Sequence, residues 1–185
     1  MIYEKYLGTL KNIPRVGWLQ REIPKDIAET VAEHTFEVTF WSLWLTSECT
    51  SIDRYEILAM AILHDFAESI IGDIPRSALH NNYLKDIKKN YEINAGNIMF
   101  REDPSLGNIY KKYMDGENIE ALIIELADEL STAIQSYRYK KLGYPTDDIL
   151  EKTIKNVILL TKKVKLQCIQ GKVSKILKEI FNKKI

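Results

Sequence analysis

An apolar run that ends in a cluster of ionisable side chains is the strongest constraint in this sequence. Residues 57–63 are all apolar and predict a buried helix. The ten residues that follow contain one imidazole and three carboxylates, from His64, Asp65, Glu68 and Asp73. Burying such groups without partners costs several kcal/mol, so they must meet solvent or a cation. The segment therefore predicts a polar site at the end of a core helix, with a metal ion as its natural partner.

The composition indicates a single soluble domain. The 185 residues suffice for one hydrophobic core, and 45% of them are hydrophobic while 28% are charged. Because 26 basic residues balance 26 acidic ones, the net charge of zero gives no attraction to a nucleic acid polymer or a membrane surface. We interpret the basic stretches 162–165 and 183–184 as solvated helix faces. No apolar run reaches the roughly 18 residues of a bilayer span, and residues 1–5 are not typical of a signal peptide.

The two cysteines, Cys49 and Cys168, are far apart in the sequence and form no CxxC pair. Their number and spacing predict neither a disulfide framework nor a zinc knuckle. Sparse, unpaired thiols are typical of a reducing compartment, so we expect a cytoplasmic protein.

The hydrophobic periodicity predicts an all-α fold, because it is helical throughout and shows no strand-like alternation. Helices are predicted at residues 2–12, 27 or 30 to 49, 53–68, 83–101, 117–142, 146–169 and 172–182. A loop is expected at residues 13–24, and residues 72–75 should end a helix because they contain Gly72 and Pro75. We expect one domain over residues 1–185, with the site in about 5–142 and helices without a motif in about 146–184.

Two of the three histidines have the setting of metal ligands. His34 lies on the apolar stripe of its predicted helix, where a lone histidine is more often a core residue with one hydrogen bond. His64 is followed directly by Asp65, and adjacent helical residues point about 100° apart. Both can therefore reach one ion only at a helix end or bend. His80, in a polar loop, is the one histidine left, so a histidine-rich dinuclear centre is not expected.

Asp128 completes the candidate site. It lies in an otherwise apolar helical segment, although an isolated aspartate beside Glu129 is more often a surface acid. Together with His34, His64 and Asp65 it makes a mixed nitrogen and oxygen set. Such a set suits Mn, Fe, Co, Ni or Zn and leaves coordination positions for water and a substrate oxygen.

The order His34, then His64-Asp65, then a distant Asp128 resembles the HD-domain metal-dependent phosphohydrolase superfamily. The segments 15–18, 31–34 and 64–74 are closer still to the HD-domain 5′-deoxynucleotidases, including the HD-domain-containing protein 2 branch. The resemblance covers roughly residues 5–142. It implies an all-helical HD fold, a homodimer, and hydrolysis of deoxyribonucleoside 5′-monophosphates to the nucleoside and phosphate.

The resemblance also implies roles for individual residues. The first metal ion would be held by His34, His64, Asp65 and Asp128. Arg15 would orient the phosphate and Trp18 would pack on the nucleoside. Glu68 and Asp73 would be acid or base groups near the leaving oxygen, or would hold a second ion, suited to Mg, together with the main-chain carbonyl of Ile74.

The chemistry of phosphate ester hydrolysis agrees with these roles. A phosphomonoester dianion needs its charge neutralised at the moment of transfer, which a divalent ion and an arginine can supply. The departing alkoxide needs a proton or a second cation, and Glu68 and Asp73 are placed in the sequence to supply either. The alternatives are another HD phosphohydrolase, such as a phosphodiesterase or a triphosphohydrolase, and a non-catalytic regulatory module that keeps a metal site. Taken singly, Trp18 is a core anchor, Arg15 a surface ion pair, Glu68 a solvent-facing acid, and Asp73 an N-cap or turn residue.

Overall fold

The all-α prediction is confirmed by a computed structural model, which describes residues 3–116 and 118–182. The helices are α1 (Glu4–Leu10), α2 (Val16–Leu19), α3 (Val31–Thr46), α4 (Arg54–Leu63), α5 (Glu68–Ile71), α6 (Asn82–Met99), α7 (Pro104–Asp115), α8 (Ile119–Lys141), α9 (Asp147–Val164) and α10 (Gln167–Phe181), with a 3₁₀ turn at Arg76–Ala78. Within the described residues there is no β-strand, and one isolated antiparallel bridge joins Pro14 and Thr30. No helix in this part of the chain has the length and apolar character to cross a membrane.

Several helix boundaries differ from the predicted ones. The helix predicted to run to residue 68 ends at Leu63, and the loop expected at residues 13–24 contains the single turn α2. The last two helices are separated at Lys165, whose φ of 55° is left-handed, rather than at Gly171, which lies inside α10. The predicted helix starts at residues 2 and 117, and the basic pair 183–184, lie outside the described residues.

A capping box fixes the start of α3 and thereby the position of His34. The side chain of Thr30 accepts a hydrogen bond from the backbone N–H of Glu33 at 3.2 Å, and the Glu33 carboxylate accepts one from the backbone N–H of Thr30 at 2.7 Å. These bonds satisfy two N–H groups that the first turn of a helix leaves free. His34 follows directly, fully buried, with its ring pointing into the molecule.

The core is organised around α8, the longest helix. Its residues Ile123, Ile124, Leu126 and Leu130 are fully buried, and they belong to one cluster with side chains from α3, α4, α9 and α10. Because α8 packs on α3, α4 and α9 at once, its middle lies close to the first turn of α3 and the end of α4. This arrangement brings the candidate site residues together from three separate parts of the sequence.

The expectation that the cysteines are unpaired is wrong. Cys49 and Cys168 form a disulfide, with their Cα atoms 5.7 Å apart. Cys49 follows the end of α3 and Cys168 lies in the first turn of α10, and these two helices pack against each other. Their separation of 119 residues along the chain hid a spatial proximity that only the packing of α10 creates. The bridge covalently fastens the last helix to the core.

This disulfide should contribute measurably to stability. Closing so long a loop restricts the unfolded chain, and loss of such a native bridge typically costs about 2–5 kcal/mol. We expect dithiothreitol to lower the free energy of unfolding by that amount in urea titrations. The double variant Cys49→Ser, Cys168→Ser should match the reduced protein and be insensitive to the reductant. Equal urea midpoints for the oxidised and reduced parent would contradict this expectation.

Candidate metal centre

Four side chains predicted as metal ligands converge at one point in the fold. His34 Nε2 lies 3.0 Å from Asp128 Oδ1 and 3.7 Å from Asp65 Oδ2, and His64 Nε2 lies 3.1 Å from Asp65 Oδ2. One ligand atom each from His34, His64 and Asp65 falls within 4.8 Å of the others, a spacing that can hold a metal ion. These three residues can therefore form a metal site, and Asp128 lies at its edge.

The chain bends at His64 and Asp65, as predicted for two adjacent residues that bind one ion. α4 ends at Leu63, and the backbone turns before α5 begins at Glu68, with the N–H of Phe66 donating to the Leu63 carbonyl at 3.0 Å. This turn directs the side chains of His64 and Asp65 to the same side. A continuous helix would have held the two adjacent side chains apart.

The His64 ring is oriented for metal binding. Its Nδ1 lies 2.7 Å from the carbonyl oxygen of Ala61, so Nδ1–H donates and Nε2 keeps its lone pair. Nε2 is buried and has no hydrogen-bond partner among residues 3–116 and 118–182, although the Asp65 carboxylate is adjacent. A buried imidazole lone pair beside a carboxylate fits a divalent cation, and the bond to Ala61 is the outer contact that metal-bound histidines usually have.

The His34 ring has a different set of contacts. Arg15 Nη1 lies 2.7 Å from His34 Nδ1, and because a guanidinium only donates, this nitrogen accepts. The ring proton is then on Nε2, facing Asp128. Metal binding through Nε2 requires the other tautomer, in which Nδ1–H has Ser131 Oγ at 3.5 Å as an alternative partner. Loading a metal ion should therefore release Arg15 from His34.

The two aspartates carry the negative charge of the site. Burial opposes ionisation of Asp128, but the hydrogen bond with His34 and the charges of Arg76 and Arg15 hold the pKa of its carboxyl well below the usual range. Burial likewise opposes ionisation of Asp65, but the charge and the hydrogen bond of His64 in its protonated form outweigh burial and lower the pKa of Asp65. Both carboxylates are therefore ionised at neutral pH and available to a cation.

Glu68 and Asp73 lie beside this cluster in contrasting states. Glu68 is buried in α5, and burial, reinforced by the charges of Asp65 and Asp73, raises its pKa well above the ordinary value. Its Oε2 has no hydrogen-bond partner among the described residues. Asp73, in the segment after α5, accepts a hydrogen bond through Oδ2 from the backbone N–H of Val16. Glu68 is thus poised to hold a proton or a cation, while Asp73 also fixes the start of α2.

Trp18 lies in the core as well as at the cavity wall. It is only 2% exposed, its Nε1–H donates to Glu29 Oε2 at 2.9 Å, and its ring packs edge-on against Tyr139 with centroids 5.2 Å apart. These contacts match its interpretation as a core anchor. Its packing on a nucleoside stays a prediction.

A cavity of about 490 Å³ opens above the cluster. Its lining contains His64, Asp65 and Asp128 from the cluster, together with the following predicted site residues: Arg15, Trp18, Glu68, Asp73 and Ile74. The cavity therefore gathers a potential metal site, an arginine and two further carboxylates in one space. His80 is exposed in the loop before α6 and does not line it.

Comparison with known proteins agrees with this geometry. A family model described as HD domain matches residues 7–164, which is most of the chain. The chain belongs to the HD domain family. The predicted family resemblance is therefore confirmed at this level, and HD domains are metal-dependent, in keeping with the His34, His64 and Asp65 cluster.

Named relatives of this HD domain are 5′-deoxynucleotidases. The chain is 26% identical over 145 residues to "5′-deoxynucleotidase HDDC2" of Dictyostelium discoideum, covering 74% of this chain and 75% of that protein. It is 29% identical over 145 residues to the zebrafish (Danio rerio) protein of the same name, covering 76% and 69%. It is also 29% identical over 147 residues to "5′-deoxynucleotidase hdd1" of Schizosaccharomyces pombe, covering 73% and 69%.

Two solved structures of archaeal proteins share the fold of this HD domain. The PH0347 protein from Pyrococcus horikoshii OT3 has 30% identity and a TM-score of 0.73, with 96% of this chain and 95% of that chain covered. A conserved hypothetical protein from Pyrococcus furiosus has 28% identity and a TM-score of 0.74, with 96% of both chains covered. The likeness therefore includes α9 and α10, which carry no motif.

Arg76 is one residue of the HD domain site that sequence analysis missed. It follows Pro75 in the 3₁₀ turn, and its Nη2 donates to Asp128 Oδ2 at 3.2 Å while Nη1 donates to Glu129 Oε1 at 2.5 Å. Glu129 Oε1 also accepts from Asn156 Nδ2 at 3.0 Å. The guanidinium thus orients Asp128 and ties the segment that carries Asp73 to α8. Its position three residues after Asp73 was the available signal.

Lys88 and Glu92 on α6 are a second missed pair. Lys88 Nζ lies 3.1 Å from Glu92 Oε1 and 3.7 Å from Glu68 Oε1, and all three residues line the cavity. In the sequence, a lysine and a glutamate four residues apart on an amphipathic helix are indistinguishable from a surface ion pair. Only the packing of α5 against α6 brings them to the site.

Proposed function

We propose that this protein is a metal-dependent phosphomonoesterase that hydrolyses deoxyribonucleoside 5′-monophosphates to the deoxynucleoside and phosphate. The observation that carries the proposal is the cavity that combines the His64 and Asp65 side chains with an arginine and a buried, protonatable glutamate. The names of the relatives support the substrate class. A cation site and a cationic side chain in one cavity suit a phosphomonoester dianion, which carries two negative charges.

The proposed chemistry divides between the metal and the protein. A divalent ion held by His34, His64, Asp65 and Asp128 would supply a Lewis acid and an activated water. Arg15 binds the phosphate with its planar pair of N–H donors once it has left His34. The metal is Mn, Co, Mg, Fe, Ni or Zn on the basis of the donor set, which is mixed nitrogen and oxygen.

Glu68 serves the leaving group in this proposal. A buried carboxyl with a raised pKa keeps its proton to a higher pH than an exposed glutamate does, and it can deliver that proton to the departing 5′ oxygen. Asp73 positions α2 by accepting a hydrogen bond from the Val16 N–H, and it is the second acid or base group near the leaving oxygen. In the alternative arrangement a second ion is held by Glu68, Asp73 and the Ile74 carbonyl. That ion, and not a proton, would then neutralise the leaving oxygen. Their three oxygens suit Mg.

A nucleotide panel tests the substrate class. We expect phosphate release from dAMP and other deoxyribonucleoside 5′-monophosphates, and weak release from AMP. Chromatographic product analysis with dATP, a cyclic dinucleotide and guanosine tetraphosphate would separate the other HD phosphohydrolase activities by their products. Preferential turnover of any of these three compounds would contradict the monophosphatase assignment, and no turnover of any compound with bound metal would favour a regulatory module.

The assembly and location are proposals too. A homodimer is supported by the family resemblance and by an apolar stripe on α3, where Phe36, Phe40 and Leu43 are 74%, 50% and 42% exposed. Their spacing of four and three residues places them on one face of the helix. Sedimentation equilibrium would measure the mass. The cytoplasmic location stays a prediction, and the Cys49–Cys168 bridge is unusual for a reducing compartment.

A further inference from the structure

We propose that Lys88 is the protein's own counter-ion for Glu68 and competes with a second divalent cation for that carboxylate. This role rests on the proposed function in one respect, which is that the His64 and Asp65 cluster is the first metal site. It concerns the carboxylate beside that cluster and the lysine that reaches it from α6.

Charged groups of both signs act on Glu68, with Asp65 and Asp73 on the negative side and Lys88 and Arg15 on the positive side. Glu68 is buried, and the charges of Asp65 and Asp73 both act on it. The ionised form of Glu68 needs a positive species beside it, because an isolated buried charge is strongly unfavourable. Oε2 of Glu68 has no hydrogen-bond partner in the described part of the chain and is therefore available to a cation, while Oε1 faces Lys88.

Lys88 is held where it can supply this balance. Its Nζ lies 3.7 Å from Glu68 Oε1, and Glu92 Oε1, 3.1 Å away, anchors it from the next turn of α6. The Lys88 side chain is only 21% exposed, so its position is set by these two carboxylates more than by solvent. The Lys88 ammonium group at this distance neutralises the Glu68 carboxylate. It would also repel a metal ion bound by that carboxylate.

Lys88 therefore makes the affinity of the second site for a divalent ion lower than its oxygen ligands alone would give. A divalent ion bound by Glu68, Asp73 and the Ile74 carbonyl must either bind against the repulsion of Lys88 or displace Lys88 toward Glu92. Lys88 therefore sets whether one or two ions are bound at a given Mg²⁺ concentration. It is a positioning residue in this account, because it acts through Glu68.

Magnesium titration of matched lysine variants tests the proposal. The full-length, metal-free protein is loaded with one equivalent of Co²⁺, and Mg²⁺ binding is then followed by calorimetry without nucleotide. Removing a unit charge at this distance from a partly buried site should raise the apparent Mg²⁺ affinity of Lys88→Met by about tenfold or more. Lys88→Arg, which keeps the charge, should retain the parent affinity. Lys89→Met is the matched control, because Lys89 also lines the cavity but makes no ion pair with the described residues.

The Mg²⁺ affinities of the variants either support or overturn the role of Lys88. An unchanged or weaker Mg²⁺ affinity in Lys88→Met relative to Lys89→Met would overturn the proposal, and Lys88→Gln replaces it if the methionine variant does not fold by circular dichroism. An equal gain in Lys88→Arg would also overturn it. Adding Glu68→Gln to Lys88→Met should abolish the gain, and a gain that persists would place the ion elsewhere. Titrating the metal-free protein in parallel keeps this result separate from failure of Co²⁺ to bind, which would contradict the proposed function instead.

Discussion

Asp65→Asn should abolish metal binding at the first site and lower kcat/KM for dAMP by about 10³-fold or more. Asp65 is the acid of the cluster whose carboxylate faces both histidines, with Oδ2 3.1 Å from His64 Nε2 and 3.7 Å from His34 Nε2. An amide of the same size removes the negative charge but preserves the packing. Since a catalytic metal contributes several kcal/mol to transition-state stabilisation, and about 1.4 kcal/mol corresponds to a factor of ten, the loss should reach that size.

Metal analysis and kinetics must change together in this variant. Inductively coupled plasma measurement should give less than stoichiometric Mn²⁺ for Asp65→Asn under conditions that saturate the parent. Asp86→Asn, an exposed aspartate on α6, is the matched control and should bind metal and turn over substrate as the parent does. If Asp65→Asn retained both full metal content and parental turnover, the assignment of this cluster would be wrong.

Glu68→Gln should lower kcat by about 10²- to 10⁴-fold, the usual contribution of a positioned general acid, and leave the first metal ion bound. The amide keeps the shape of the side chain but has no acidic proton to give. Glu125→Gln is a suitable control, because Glu125 is an exposed carboxylate on the wall of the same cavity. Parental turnover in Glu68→Gln would contradict the role of Glu68 as the general acid.

The pH profile separates the two roles of Glu68. The pKa of the Glu68 carboxyl is raised by burial and by Asp65 and Asp73. A general acid works only while protonated, so the parent should lose kcat as the pH rises through this raised pKa, and Glu68→Gln should lack that alkaline limb. If Glu68 instead holds a second ion, the Mg²⁺ concentration needed for half-maximal kcat should be higher in Glu68→Gln than in the parent. A variant with the alkaline limb intact would contradict the general-acid role.

The sequence predicted part of the cluster of residues that meets at the site. The apolar run that ends at His64, the His64-Asp65 pair and the need for a bend together predict a helix end, and α4 does end at Leu63. Asp128 taken alone would be interpreted as a surface acid, and it was included only as the fourth member of a set with His34, His64 and Asp65. It lies 3.0 Å from His34. These predictions succeed because a charged group inside a hydrophobic pattern is costly unless it has a partner.

What escaped prediction depends on packing between distant segments. Lys88 and Glu92 have the spacing of an ordinary surface pair, and their nearness to Glu68 arises only when α6 packs on α5. The disulfide requires α10 to return to the end of α3, which no local pattern indicates. The break at Lys165 was misplaced to Gly171, because a non-glycine residue adopts the left-handed conformation there while the glycine remains helical.

Reconstitution of dAMP hydrolysis tests the central claim most directly. The parent protein is stripped with a chelator, dialysed, and assayed for phosphate release from dAMP before and after addition of Mn²⁺ or Co²⁺. We predict no release from the stripped protein and full recovery with about one equivalent of metal per chain. Unchanged hydrolysis of dAMP by the metal-free protein would contradict the account.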